Sequence, residues 1–378
     1  MSGAFTKTIS LLLLIAIGYL FQRKIHSKEQ REGIKTLILS LALPATILIA
    51  LLQIDFSSDL IVIPIMSLAF NVLVYLLINK LPLQNVFGIQ DSQYRTLVML
   101  IPSLAPGLSC FPFIMEYSGQ GPLAMAALAD VGNKVFVLVI SYTIAMKWYF
   151  DVHRESSKGK LDVKQMLIAM VNEPVNIVII VAIVMLSFGL TYTAFPEPIT
   201  LTIDRLSLVM TPMILLFIGL SMKLHWGQVK TIFSFLFFRS SIAFALSGAV
   251  LYFFPTSDIP TMLLIVVFPQ SACSFWPYAH MAYVGQLERK ADATLKTFDQ
   301  DFAMNVLACS MPFSVILIMI VYATGDIFTS ASTAFMSSAV LLAAALGIAL
   351  ASSRAIRLKT HESLGIGDSE EAAPPQVS

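Results

Sequence analysis

Ile101-Pro102-Ser103-Leu104-Ala105-Pro106-Gly107-Leu108-Ser109-Cys110-Phe111-Pro112-Phe113 places three prolines and a glycine inside one apolar stretch. Each proline lacks an N–H and crowds the preceding turn, so a continuous helix is not expected here. A second stretch, Pro269-Gln270-Ser271-Ala272-Cys273-Ser274-Phe275-Trp276-Pro277, repeats the pattern in the other half of the chain. The same residues have two readings. They form proline kinks packed against neighbours, or paired broken helices whose ends present N–H and C=O groups to a solute, as in transporters built from repeats.

Composition decides what surrounds these stretches. Hydrophobic residues make up 57% of the 378-residue chain and charged residues 12%, against roughly 45–50% and about 25% in soluble proteins. Twenty-four Lys+Arg and 23 Asp+Glu are too few to cover a water-soluble protein of this length, which excludes a soluble enzyme and makes the lipid bilayer the partner of the surface. A net charge of +1 and the lack of a long basic run leave no basis for nucleic acid, whose binding needs many neutralised phosphates. Cys110, Cys273 and Cys309 lie in apolar segments without metal-ligand spacing, so neither disulfides nor a metal is expected. No cofactor is expected either. Ser10 to Phe21 is followed by Gln22-Arg23-Lys24 without a cleavage pattern, and reads as a first membrane helix rather than a signal peptide.

A membrane helix needs about 20 mostly apolar residues, and eleven segments qualify, at about 6–22, 34–54, 59–79, 94–115, 122–147, 172–192, 206–222, 231–254, 259–283, 300–322 and 330–352. Cytoplasmic loops of membrane proteins are enriched in Lys and Arg. Here 20 of the 24 basic residues fall on alternate connections, including the cluster Arg23, Lys24, Lys28, Arg31 and Lys35 and the cluster Lys147 to Lys164. The opposite connections are neutral or acidic apart from Lys7 and Arg205. The expectation is an all-α, multi-pass protein of the plasma (inner) membrane, N-terminus outside and C-terminus cytoplasmic.

The halves resemble each other. Leu43-Pro44 in the second segment matches Thr211-Pro212 in the seventh, and Phe111-Pro112-Phe113 in the fourth matches Trp276-Pro277-Tyr278 in the ninth. Five helices separate the equivalents, so the copies cross in opposite senses, as in inverted-repeat transporters. The expected organisation is a five-helix repeat over 1–150, a cytoplasmic linker over 151–171, a second repeat over 172–323, an extra helix over 330–352 and a disordered tail over 353–378.

Polar groups at depth mark the candidate site. Asp130 and Lys134 lie four residues apart on one helix face, with Asn133 beside them. The tenth segment offers Asp301 and Asn305, the eighth Arg239 and the ninth His280. A charge at the membrane centre costs about 2.5–3.5 kcal/mol on insertion scales unless paired or hydrated. One reading is a structural Asp130–Lys134 pair with Arg239 snorkelling to the cytoplasmic face. In the other, the cluster lines the crossing: Lys134 or Arg239 attracts a carboxylate, and Asp130 or Lys134 exchanges a proton. His280 titrates with the substrate or serves as a hydrogen-bonded structural histidine. Ser109, Cys110, Pro112, Gln270, Ser274 and Pro277 at the breaks, with Asn133, Lys134, Asn305 and Arg239, make up the candidate solute set; Asp130, Lys134, Asp301 and His280 make up the coupling set. Glu173-Pro174 opens the sixth segment as an ordinary helix start, and Asn71 faces either the cavity or a helix contact.

Gly18-Tyr19-Leu20 before a basic loop, Leu41-Ala42-Leu43-Pro44, Asn172-Glu173-Pro174 and Thr211-Pro212-Met213 through Gly219-Leu220-Ser221 together resemble the auxin efflux carrier (PIN-like) family over about residues 9–323. The resemblance implies ten helices in two inverted repeats, crossed broken helices four and nine, and a scaffold of helices one, two, six and seven beside a moving transport domain. It also implies alternating access, small carboxylates as solutes and no use of ATP. By the same resemblance the crossing prolines fall on Pro112 and Pro277. The family's Gly-Asn pair before the first of these is replaced by Ala105-Pro106-Gly107. The eleventh helix lies outside the family pattern and either forms a homodimer interface or anchors the tail.

The expected activity is therefore secondary transport of a small organic anion driven by protons or membrane potential, with a sodium-coupled symporter and a receptor or scaffold without flux as the competing readings. Gly365-Ile366-Gly367-Asp368 matches an intramembrane protease pattern but lies in a polar tail, and no G-x-x-x-x-G-K-[ST] occurs.

Overall fold

A computed structural model describes residues 3–25, 27–53, 61–153, 174–221, 229–291 and 293–363. Most of the expected linker, Glu173, and the Gly365–Asp368 stretch of the tail lie outside these residues. All described secondary structure is helical, with no strand among the described residues.

The helices in chain order are α1 (Gly3–Phe21), α2 (Lys28–Leu37), α3 (Leu43–Leu52), α4 (Val62–Lys80), α5 (Leu83–Phe87), α6 (Asp91–Leu100), α7 (Pro106–Ser109), α8 (Phe111–Ser118), α9 (Gln120–Val135), α10 (Ser141–Val152), α11 (Pro174–Ser187), α12 (Glu197–Leu208), α13 (Met210–Ser221), α14 (Val229–Phe253), α15 (Ile259–Val267), α16 (Trp276–Lys290), α17 (Gln300–Ala323) and α18 (Ala331–Ser363). Among the described residues, seven helical runs are long and apolar enough to cross a membrane: Glu29–Leu52, Val62–Lys80, Gln120–Val152, Glu197–Ser221, Lys230–Phe253, Gln300–Ala323 and Ala331–Leu350. Shorter apolar helices cover Ile9–Phe21, Pro174–Ser187 and Ile259–Gln270. The remaining apolar segment is divided among α6, α7 and α8. The chain is a polytopic membrane protein.

Local chemistry explains several irregularities. Ser27 and Gln30 form a reciprocal cap at the start of α2, which satisfies two otherwise orphaned donors. A π turn at Ile38–Ala42 joins α2 to α3 just before Pro44. Pro44 has no N–H to continue the ladder, and the wider turn makes room for its ring. Near Pro212 the helix breaks instead, at Val209 between α12 and α13. Gly18 of α1 faces the backbone of Leu216, and Gly219 of α13 faces that of Ile15. A Cβ at either position would collide with a carbonyl, so the two helices approach as closely as their backbones allow.

The buried apolar residues form two large clusters. Along α9 and α10 the membership changes between Ala129 and Ile144, along α14 between Phe238 and Phe244, and along α17 between Cys309 and Val315. In the broken segments it changes between Ile101 and Leu104 and between Phe268 and Cys273. α18 changes too, between Ala334 and Ala345, so six segments change cluster around the level where Asp130, Asn133, Lys134, Arg239, Gln270 and Ser271 are buried.

The eleventh segment packs along α14 in the same chain. The Ser234 hydroxyl donates to the Ala345 carbonyl at 2.6 Å, and the Ser241 hydroxyl donates to the Ser338 carbonyl at 2.8 Å. The partners sit seven residues apart on each helix and run in opposite order, as in an antiparallel seam of small residues. The helix continues beyond the expected Ser352 to Ser363.

Candidate functional site

Two non-helical stretches meet at the polar level, one between α6 and α7 and the other between the 3-10 turn Phe268–Gln270 and α16. The Ala105 N–H donates to the Ala272 carbonyl at 2.8 Å, joining the two backbones directly. In each stretch a serine turns back on the end of the preceding helix, its hydroxyl and its own N–H sharing one carbonyl. The Ser103 hydroxyl donates to the Leu100 carbonyl at 2.6 Å, and the Ser271 hydroxyl donates to the Phe268 carbonyl at 2.6 Å.

The other freed groups have partners too. The N–H groups of Ala272, Cys273 and Ser274 donate in turn to the hydroxyls of Ser109, Ser310 and Ser103 at 2.9, 3.3 and 3.0 Å. Arg239 donates through Nε to the Ile101 carbonyl at 3.0 Å and through Nη2 to the carbonyls of Ser103 and Ser271 at 3.2 and 2.6 Å. Three guanidinium bonds thus bind both stretches to α14. Arg239 is buried, 3% exposed, so the snorkelling reading does not hold: its head group lies against backbone carbonyls inside the protein.

Asn133 does the corresponding work from α9. Its Nδ2 donates to the Leu104 carbonyl at 2.9 Å and to Asp130 Oδ1 at 2.8 Å. Its Oδ1 accepts from the Leu104 N–H at 3.1 Å and from Asn71 Nδ2 at 3.0 Å. A primary amide has two donors and two acceptor positions, and all four are used within the protein. Gly132, one residue earlier, allows the approach: a Cβ there would strike the Pro64 carbonyl of α4. Asn71 thus makes a helix–helix contact, one of its two expected roles.

Asp130 and Lys134 meet as expected, with Lys134 Nζ 3.2 Å from Asp130 Oδ2 and each side chain 7% exposed. Lys134 Nζ also donates to Asn176 Oδ1 of α11 at 3.1 Å. Removing one partner of a buried ion pair strands the other and costs about 3–5 kcal/mol. A cavity of about 410 Å³ opens beside this pair. Its walls include Asp130, Asn133 and Lys134 of α9, Leu104 to Leu108, Ser274 to Trp276 at the start of α16, Pro174 and Val175 of α11, and Glu32, Lys35 and Thr36 of α2. Lys35 Nζ lies 5.2 Å from the centre of the Phe275 ring.

The remaining expected residues are more scattered. Ser109 and Ser274 belong to the meeting of the two stretches. The Cys110 thiol packs against the Val267 carbonyl at 3.7 Å, and Gln270 Nε2 donates to the Ser240 carbonyl at 3.3 Å. Pro112 and Pro277 stand in the first turns of α8 and α16, where a proline forfeits no helical bond. The stretches meet at Ala105 and Ala272, before α7 and α16, rather than at the prolines themselves. His280 Nε2 lies 2.9 Å from the Val137 carbonyl, with its ring edge-on to Tyr142, a structural environment. Asn305 is half-buried on α17 and is absent from the cavity wall. Asp301 is exposed and lines a separate cavity of about 910 Å³, with Glu288, Arg289, Lys296 and Asp299, between the ends of α16 and α17.

Sequence reasoning did not single out Ser103, Ser271, Ser310 and Asn176. For the first two a signal existed, since a serine one or two residues after a proline in an apolar segment is placed to bond a carbonyl of the preceding turn. Asn176 was visible as the lone polar side chain within Val175-Asn176-Ile177-Val178-Ile179-Ile180-Val181.

No protein-family model matches the chain. A curated protein of Methanocaldococcus jannaschii, described as an uncharacterised transporter, is 24% identical over 254 residues, covering 63% of this chain and 77% of that protein. The chain is similar to a transporter.

Proposed function

We propose that this protein is a secondary carrier of a small organic anion, a carboxylate, working by alternating access and driven by a proton gradient or the membrane potential. The observation that carries the reading is the 410 Å³ cavity where two unwound stretches meet a buried lysine–carboxylate pair. Its volume lies within the roughly 300–1,000 Å³ range of small-molecule sites. Lys134 and the N-terminal end of α16 are the groups that favour an anion there. The likeness to the archaeal transporter and the resemblance to auxin efflux carriers point the same way.

In this reading residues 1–150 and 172–323 are inverted repeats. The paired Ser103 and Ser271 bonds and the placement of Asn71 and Arg239 on α4 and α14 support it. Helices one, two, six and seven form the scaffold, and the broken-helix bundle moves. The N-terminus is outside and the cavity faces the cytoplasm, since Lys35 and its neighbours belong to the lysine- and arginine-rich side. Asp130 neutralises Lys134, so a bound carboxylate would share one ammonium with Asp130. Protonation of Asp130 removes that competition, which links anion and proton.

The test is uptake into proteoliposomes of labelled mono- and dicarboxylates under imposed proton, sodium or electrical gradients. Accumulation of at least one carboxylate is expected. Lys134→Ala should weaken its apparent affinity about 10–100-fold, the equivalent of one charge-assisted hydrogen bond. Asp130→Asn should abolish the response to the proton gradient while leaving exchange intact. Absence of flux for every anion under every gradient overturns the reading.

A further inference from the structure

Lys134 is the member of the polar level whose hydrogen bond leaves the broken-helix bundle. Asn133 beside it bonds to Leu104, Asp130 and Asn71, and Arg239 bonds to the two unwound stretches. Lys134, by contrast, reaches Asn176 on α11, a helix packed along α3. The bond is buried at both ends, with Asn176 6% exposed. Lys134 and the residues just before Asn176, Pro174 and Val175, share the cavity wall. An anion entering that cavity meets the lysine beside its contact with Asn176.

We infer that Asn176 is a stand-in for the solute: its Oδ1 holds on Lys134 the acceptor place that a carboxylate oxygen takes, so that anion binding and release of α9 from α11 are one event. This rests on the carrier reading above. Asparagine suits the part because its amide oxygen has the geometry of a carboxylate oxygen without the charge. A carboxylate adds to the bond with the ammonium a Coulomb attraction that a neutral amide oxygen lacks, so a carboxylate displaces the amide, whereas water, also neutral, gains little by doing so. A solute can shift a conformational equilibrium only by its differential affinity for the two states, and exchanging Asn176 for the solute supplies that difference. Asn176 is in this sense a positioning residue. It keeps the empty bundle latched to the scaffold and limits movement without cargo.

The latch is testable without knowing the solute. Nitroxide labels at Arg23 and Lys290, exposed at the ends of α1 and α16, report the separation of scaffold and bundle by pulsed electron paramagnetic resonance on the full chain in lipid nanodiscs. In solute-free protein, Asn176→Ala should raise the minor distance population about tenfold, as expected for the loss of one hydrogen bond to a charged group. Asn176→Asp, which places a permanent carboxylate on Lys134, should lower it below the wild-type level. Asn176→Ser, which keeps an acceptor, should fall between wild type and alanine, and serves in place of alanine if that variant does not fold. A residue that merely packed would shift aspartate and alanine variants in the same direction. Identical distributions in the variants and wild type, or aspartate behaving like alanine, overturn the inference whatever the protein carries. A second arm adds malonate as probe: a shift in wild type that Asn176→Asp resists supports the exchange. If the first arm succeeds and neither malonate nor any carboxylate in the uptake panel has an effect, the latch stands and the carrier reading fails.

Discussion

The two unwound stretches solve one problem with different chemistry. Around Leu104 the backbone is held by a side-chain amide, Asn133 giving and receiving one bond each with the same residue. At 272–274 three successive N–H groups are met by three serine hydroxyls. An amide fixed at four positions is rigid, and it ties Leu104 to the residue adjacent to Lys134. Hydroxyls rotate about one bond and can exchange partners at little cost. The first stretch is therefore built as a fixed wall of the site. The second, which leads into Phe275 and Trp276, is built to adjust. Arg239 is shared by both.

Removing the shared element should have the largest effect. Arg239→Ala leaves three carbonyls without their donor at the level where the apolar clusters change over, and each unsatisfied buried group costs about 1–3 kcal/mol. A loss of about 4 kcal/mol or more is expected, seen as failure to recover monodisperse protein from detergent. Arg239→Lys keeps the charge but not the planar fork. It should recover folded protein with a lower Tm and faster amide exchange in both stretches together. Exchange quickening in only one of them would show that Arg239 does not couple the two.

Much of this architecture was readable from local rules. Pro102 and Pro269 stand where helices end because a missing N–H acts within one turn, and Asp130 and Lys134 meet because four residues bring side chains to one face. The crossing point was harder. Pro112 and Pro277 looked like its markers by resemblance, yet a proline in a first turn starts a helix, and the unwound residues come before it. The role of Arg239 had no local signature, since its partners are carbonyls of residues far away in the chain. The same holds for Asn176, whose meaning depends on which helix its neighbour Lys134 belongs to. Chemistry carried by side-chain type could be read from the sequence. Chemistry carried by freed backbone groups required the fold.

The contrast between amide and hydroxyls predicts unequal effects at the next level. Asn133→Ala removes four bonds, leaving Leu104, Asn71 Nδ2 and Asp130 Oδ1 without that partner, and should cost about 2–4 kcal/mol. Ser310→Ala removes the acceptor of the 3.3 Å bond from the Cys273 N–H and a local 3.0 Å bond to the Leu307 carbonyl of its own helix, and should cost about 1 kcal/mol. Hydrogen exchange locates the difference: Leu104 should lose protection in the first variant, and Cys273 alone in the second. If Ser310→Ala destabilises as much as Asn133→Ala, the hydroxyl-held stretch is not the adjustable one.

The smallest effect is expected where the adjustable stretch meets the α2 side of the cavity. Lys35 lies over the half-exposed Phe275 ring and pairs with Glu32 at 3.4 Å on its own helix. Exposed contacts of both kinds contribute about 1 kcal/mol or less. Lys35→Ala should therefore leave Tm within about 1 °C of wild type, because salt and solvent already screen the interaction. Its consequence should be kinetic. Lys35 and Phe275 stand together in the cavity wall, one on α2 and the other at the start of α16, and any movement of α16 past α2 must part them. Exchange of labelled solute should accelerate by about twofold, and the acceleration should vanish in high salt, where the wild type should match the variant. Phe275→Leu keeps the apolar surface without the ring face and should reproduce the kinetic effect. A variant that slowed exchange, or one whose effect ignored salt, would assign Lys35 to attracting the solute rather than to holding the adjustable stretch in place.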